Sequence, residues 1–216
     1  MNNFFLKSLI LPVVVLVVVG GAVAAGVILS KQSEESVVET IEAAINSNDN
    51  RLGNAEATVE LVEYADFQCP ACAQYDPMVK QIMAEHSDWI NFAYRHFPLK
   101  EIHPNAEQAG HAAEAAGLQG KFWEYKELLY TRQTEWATLP DPTSKFMQYA
   151  KELGLNEDQF IRDEGSDSVR NKVESQYQTA VSIGMNSTPS FLINGKKIAN
   201  PKSYDELVGL LQAEGQ

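Results

Sequence analysis

The chain is short of cysteine, histidine and basic charge. It has 2 cysteines and 4 histidines in 216 residues, and 17 Lys and Arg against 29 Asp and Glu, for a formal net charge of -12. Two cysteines are too few for a disulfide-dependent scaffold, so the core must hold the fold by itself. Four histidines, with His103 and His111 spaced unlike the usual short ligand pairs, leave a zinc site without enough ligands, and no metal is expected. The shortage of clustered Lys and Arg argues against a nucleic-acid partner, because phosphate binding draws on such clusters. The acidity reads as solubility.

Charge of either sign is missing from one long stretch: between Ser8 and Ser30 no side chain is charged and most are Leu, Val, Ile or Ala. As a helix, residues 9–29 would be about 31 Å long, close to the thickness of a bilayer's hydrocarbon layer. Lys7 precedes the run and Glu34, Glu35, Glu39 and Glu42 follow it, so the positive-inside tendency keeps the amino terminus in the cytoplasm and exports the remainder. A cleaved signal peptide with Ala22-Val23-Ala24 as its cleavage site is the competing reading, and would give a secreted protein. The uncleaved anchor is preferred, because the apolar run continues to Leu29. The expected organisation is an anchor or signal at 1–31 and a stalk or linker at 32–53. In the stalk, Val37, Val38, Ile41 and Ile45 fall at helical spacing, and 46–54 reads as linker. The folded domain is expected over 54–216.

Both cysteines lie in "DFQCPACAQY", as Cys69 and Cys72. A β-branched and aromatic stretch over 58–64 predicts a strand ahead of them. Pro70 suits the first position of a helix whose apolar residues continue through Tyr75, Val79, Ile82 and Met83, so Cys69 is expected at the N-cap and Cys72 one turn further in. Pro77 should kink that helix. A disulfide closing so small a loop removes little entropy from the unfolded chain and is a poor staple. At a helix start, unpaired N–H groups and the helix dipole favour a thiolate on Cys69, the form that attacks disulfides, while Cys72 is placed to resolve the mixed disulfide. The pair therefore reads as a redox reagent, needing no cofactor beyond its own Cys69–Cys72 disulfide.

Further along, Ile90, Phe92 and Tyr94 alternate with Asn91, Ala93 and Arg95 as a second strand, and helices are expected over 104–116, 121–131, 142–153, 156–163 and 166–183. In "GMNSTPSFLINGKKI", a strand from Ser190 meets Asn194-Gly195, a two-residue hairpin turn, and Thr188-Pro189 stands just before it. The last helix, over 203–212, opens on a Ser203/Glu206 capping box. Glu63 shares a strand face with Val59 and Leu61 and points into the core. Asp66 reads as an ordinary turn residue, and His96, Phe97, Trp123 and Tyr125 read as core.

Taken together, "VEYADFQCPAC", "YRHFPLKEIHPNAEQAGHAAEAAGLQGKFWEYKELLY" and "GMNSTPSFLING", in that order, resemble the DsbA-like thioredoxin-fold thiol:disulfide oxidoreductases, in their membrane-tethered bacterial branch. The resemblance implies an α/β thioredoxin fold, β-α-β…β-β-α around a central sheet, with a helical insertion at about 99–183 before the cis-proline strand. It implies a cis Thr188–Pro189 bond facing Cys69 and Cys72, a Thr188 backbone that pairs with an incoming peptide, and Glu63 as proton acceptor for Cys72. It also implies cysteine-containing exported proteins as clients, and a membrane quinone-linked thiol oxidase, or a reductant, as redox partner. Pro70 and Ala71 would tune the pair. The strongest oxidants of the family carry His where Ala71 stands, so an oxidase of intermediate potential is expected. A reductase or isomerase of the same fold, or a tethered peptide-binding module with incidental cysteines, stands as the alternative.

Overall fold

A computed structural model of the chain describes residues 44–215. The expected anchor or signal at 1–31 and the stalk up to residue 43 lie outside the described residues. Among the described residues, no helix is long and apolar enough to cross a membrane.

Five strands form one sheet: β1 (Asn50–Gly53), β2 (Val59–Ala65), β3 (Ile90–His96), β4 (Ser190–Ile193) and β5 (Lys196–Lys197), in the order β1-β3-β2-β4-β5. β2 and β3 are parallel and joined through α1 (Pro70–His86), while every other pairing is antiparallel. Between β3 and β4 come α2 (Ala106–Gly117), α3 (Phe122–Thr131), α4 (Gln133–Trp136), α5 (Thr143–Glu152), α6 (Glu157–Glu164) and α7 (Asp167–Ser182); α8 (Tyr204–Glu214) closes the chain. This is the β-α-β…β-β-α arrangement with a helical insertion that the resemblance implies.

Both faces of the sheet are covered. Val59, Leu61, Phe92, Phe191 and Ile193 join the main core with α1, α8 and the insertion, and Val62, Tyr64, Ala93 and Leu192 pack with Ala180 of α7. All seven residues of β3 are buried, so its alternation separates two interiors and not a core from solvent. At the hairpin, Asn194 and Gly195 adopt φ of 49° and 76°, as a type I′ turn requires. Helix α1 runs through Pro77, which leaves the Ala73 carbonyl without its intrahelical donor. The Ser203 hydroxyl accepts from the Glu206 N–H, but the Glu206 carboxylate reaches the Lys202 N–H one residue early, so only half of the expected capping box forms.

One expectation is corrected. The stretch read as linker contributes β1, paired with β3 from Asn50↔Tyr94 to Gly53↔Asn91, so the folded unit reaches back beyond residue 54. Gly53 has φ +88°, and a Cβ there would sit 2.2 Å from the Ile90 carbonyl oxygen, so the strand ends at a position that only glycine fits. Just before β1, buried Asp49 accepts from Arg95 Nε at 2.9 Å and Nη2 at 2.7 Å, while Arg95 Nη1 donates to the Tyr64 hydroxyl at 2.9 Å. Short-range composition made this stretch a linker; a partner 46 residues away makes it structure.

Candidate functional site

The cysteine pair sits where β2 gives way to α1. Cys69 is the N-cap of α1, in extended conformation, with Pro70 in the first turn, as the sequence predicts. Cys69 is 7% exposed and Cys72 fully buried, and both are free thiols here. Pro70 faces solvent, while Ala71 is half-buried against the core.

From the far end of the chain, Thr188–Pro189 arrives as a cis peptide bond directly before β4. The Cys69 thiol donates to the Thr188 carbonyl at 3.5 Å. The loop is fixed by the Ser190 hydroxyl on the Ser187 carbonyl and by Asn200 Nδ2 on the Pro189 carbonyl, each at 2.8 Å. Segments 119 residues apart thus meet at one sulfur.

These surroundings separate the two thiols. A hydrogen bond from the Cys72 thiol, opposed by partial burial and helped by the Cys72 and Ala71 backbone N–H groups, lowers the Cys69 pKa to about 5. Cys72 is pushed well above the usual thiol range, first by burial, then by its hydrogen bond to Cys69 and by the charges of Cys69 and Glu63. At pH 7 the partly accessible sulfur is a thiolate and the buried one a thiol, the division of labour that exchange needs.

Glu63 lies between Tyr94 and Phe191 in the sheet, 1% exposed, with Oε2 accepting no hydrogen bond. Burial raises its pKa to about 7; nearby Lys126 opposes the shift and Asp76 adds to it. Lys126 and Asp76 form an ion pair, itself buried, at the edge of a cleft of about 290 Å³ walled by Val79, Met83, Phe92 and Trp123. An acid that titrates near neutrality inside the core can give or take a proton at working pH.

Several contributors have no mark in the sequence. Asp66, read as an ordinary turn residue, is buried and accepts from the Gln68 N–H, the Leu99 N–H and His103 Nδ1 at 2.7, 2.8 and 2.7 Å. It ties the redox turn to the loop after β3. Gln133 and the Asp76–Lys126 pair are equally silent there, since only tertiary contact gives a single Gln or Lys any meaning. His96, Phe97 and Tyr125 are buried in the core, as expected. Among the described residues, no group of three or more His, Cys, Asp and Glu is placed to hold a metal ion.

A family model described as Thioredoxin matches residues 45–213. The Na(+)/H(+) antiporter NhaA 1 of Mycolicibacterium gilvum is 35% identical over 169 residues, 76% of this chain and 26% of the antiporter. The chain therefore spans about a quarter of the length of the curated relatives it matches. Among solved structures, a thioredoxin-like oxidoreductase from Silicibacter pomeroyi aligns with TM-score 0.66 and 24% identity over 78% of this chain and 92% of that one. The thiol-disulfide exchange protein alpha-DsbA2 from Wolbachia pipientis aligns with TM-score 0.70 and 15% identity over 84% and 97%. These likenesses bear on the fold.

Proposed function

The chain belongs to the thioredoxin family, and from that premise we propose that it is a protein thiol:disulfide oxidoreductase that oxidises cysteine pairs in exported clients. The observation that carries the reading is the pair itself: an ionised Cys69 at a helix start, 3.5 Å from the Thr188 carbonyl of a cis-proline loop, with Cys72 buried behind it.

In the oxidising direction a client thiolate attacks Cys69 Sγ, forming a client–Cys69 bond and breaking the Cys69–Cys72 bond. Cys72 leaves with the electron pair and takes a proton, for which Glu63 is the donor. The second client thiolate then attacks the client sulfur bound to Cys69, closing the client disulfide and releasing Cys69 as a thiolate. Two electrons pass from client to chain. Because Cys69 is released ionised, the reduced state is favoured and the potential rises by roughly 30 mV for each unit its pKa lies below the working pH, which argues for an oxidase. Thr188 offers its backbone to the client as a short added strand. A membrane quinone-linked thiol oxidase is the proposed acceptor that restores the disulfide.

The proposed setting is the outer face of a bacterial membrane, with residues 9–29 as anchor. The uncharged run and the acids after it support this, as does the persistence of disulfides outside the cytoplasm. Ion transport is not proposed, since the match covers only a quarter of the antiporters.

The direction is tested by equilibrating the chain with glutathione buffers and reading the fraction of free Cys69 and Cys72. Half-reduction at about −180 mV or above is expected of the oxidase. A midpoint near about −270 mV, typical of a thioredoxin-type reductant, would overturn it.

A further inference from the structure

The main chain of the redox turn is held by side chains of the helical insertion. Gln133, at the start of α4, donates through Nε2 to the Phe67 carbonyl at 2.8 Å and to the Cys69 carbonyl at 3.1 Å. Between these two acceptors, Gln68 donates to the Ala137 carbonyl and accepts from the Asn105 N–H, both at 2.7 Å. Gln133 stands on a firm base. Trp136, at the other end of α4, is fully buried, donates from Nε1 to the Leu129 carbonyl at 2.9 Å, and packs edge-on against Phe146.

The Cys69 carbonyl matters because it opens the peptide unit that leads into Pro70. Pro70 has no N–H, so the first donors that the helix start can turn toward Cys69 Sγ belong to Ala71 and Cys72. Their direction relative to Sγ is set by rotation about the Cys69 Cα–C bond, the rotation that Gln133 pins by its grip on that carbonyl. The Ala73 N–H reaches the same oxygen at a longer 3.3 Å, so Gln133 is the shorter of its two donors.

We propose that Gln133 is a positioning residue of the redox pair: its one carboxamide, bonded to the carbonyls on either side of Gln68, holds the Ala71 and Cys72 N–H groups on Cys69 Sγ. The inference deepens the exchange reading and rests on Cys69 being the attacking sulfur. It also gives the insertion a chemical role, because α4 belongs to the insertion and not to the β-α-β…β-β-α framework.

The test uses the full chain in its reduced state, with Gln133→Ala and the near-isosteric Gln133→Glu. The rate of Cys69 alkylation by iodoacetamide is followed against pH, and the thermal midpoint is recorded alongside. The native profile is expected to have its midpoint near pH 5. In both variants the midpoint rises by about one pH unit or more, roughly a tenfold loss of thiolate at about pH 4. Gln133→Glu keeps at most one donor, its O–H, while protonated, and once ionised it donates nothing and adds negative charge, so on the upper limb of the profile it moves further than Gln133→Ala. A fall in thermal midpoint with an unmoved profile in either variant would make Gln133 merely structural and overturn the proposal. Should one variant fail to fold, the other decides alone. Alkylation needs no client, so a native chain that ionises Cys69 near pH 5 but never exchanges disulfides would sink the function and leave this inference standing.

Discussion

Replacing Cys72 with Ala converts the protein into a trap: mixed at about pH 7 with a one-cysteine peptide carried as a mixed disulfide with a weakly nucleophilic aromatic thiol, it accumulates a peptide adduct through Cys69, and release of reduced peptide falls to background. Cys69 is ionised at that pH and partly accessible, so its attack on the peptide disulfide survives the substitution. What is lost is the second step. In the native chain the Cys72 sulfur, hydrogen-bonded to Cys69, attacks Cys69 Sγ and expels the peptide. External thiols replace it poorly, since they lack the proximity that places the Cys72 sulfur against Cys69. Loss of one sulfur from a buried position leaves the fold intact, so the thermal midpoint stays close to native. Non-reducing electrophoresis and mass spectrometry read the adduct, and the double variant Cys69→Ala/Cys72→Ala should form none. A Cys72→Ala chain that forms no adduct would remove Cys69 from the role of nucleophile.

The second large effect lies on the other face of the sheet. Asp49→Ala should cost about 3–5 kcal/mol of folding stability, the usual result of breaking a buried ion pair by removing one partner. The side chains of Asp49 and Arg95 are 1% and 2% exposed, and the carboxylate accepts from two guanidinium nitrogens and, at 3.3 Å, from Gln176 Nε2. Removing it strips a buried charge of its opposite charge and cuts the join between the segment before β1, β3 and α7. Urea unfolding at neutral pH measures the loss. A change within about 0.5 kcal/mol, the ordinary range for surface substitutions, would show that residues 44–53 are not part of the cooperative unit.

The same region marks the limit of what the sequence discloses. The cysteine pair at the helix start, the helix behind it, the Asn194–Gly195 turn and the longer helices of the insertion are legible because each is written in neighbouring residues, as a proline at N1, a turn dipeptide or an apolar repeat. β1 is not, because "NRLG" has no strand pattern of its own and becomes a strand only by pairing with β3. Arg95 has the look of an outward residue on an alternating strand, yet Asp49 and Tyr64 close over it. In the site, Glu63 is legible from its face of β2. The Lys126–Asp76 pair beside it joins residues 50 positions apart and leaves no local trace. Gln133 is hidden twice, in a helix of four residues and in a side chain with no ordinary reason to be near a thiol.

Electron transfer through one pair of sulfurs is the central claim. The direct measurement mixes the chain, oxidised to the Cys69–Cys72 disulfide, with an equimolar reduced two-cysteine peptide at neutral pH without oxygen, then counts thiols on both by mass after alkylation. The expected result is one peptide disulfide formed for every two thiols that appear on the chain, those of Cys69 and Cys72. A peptide that stays reduced beside an unchanged Cys69–Cys72 disulfide, where oxidised glutathione oxidises the same peptide, would contradict it.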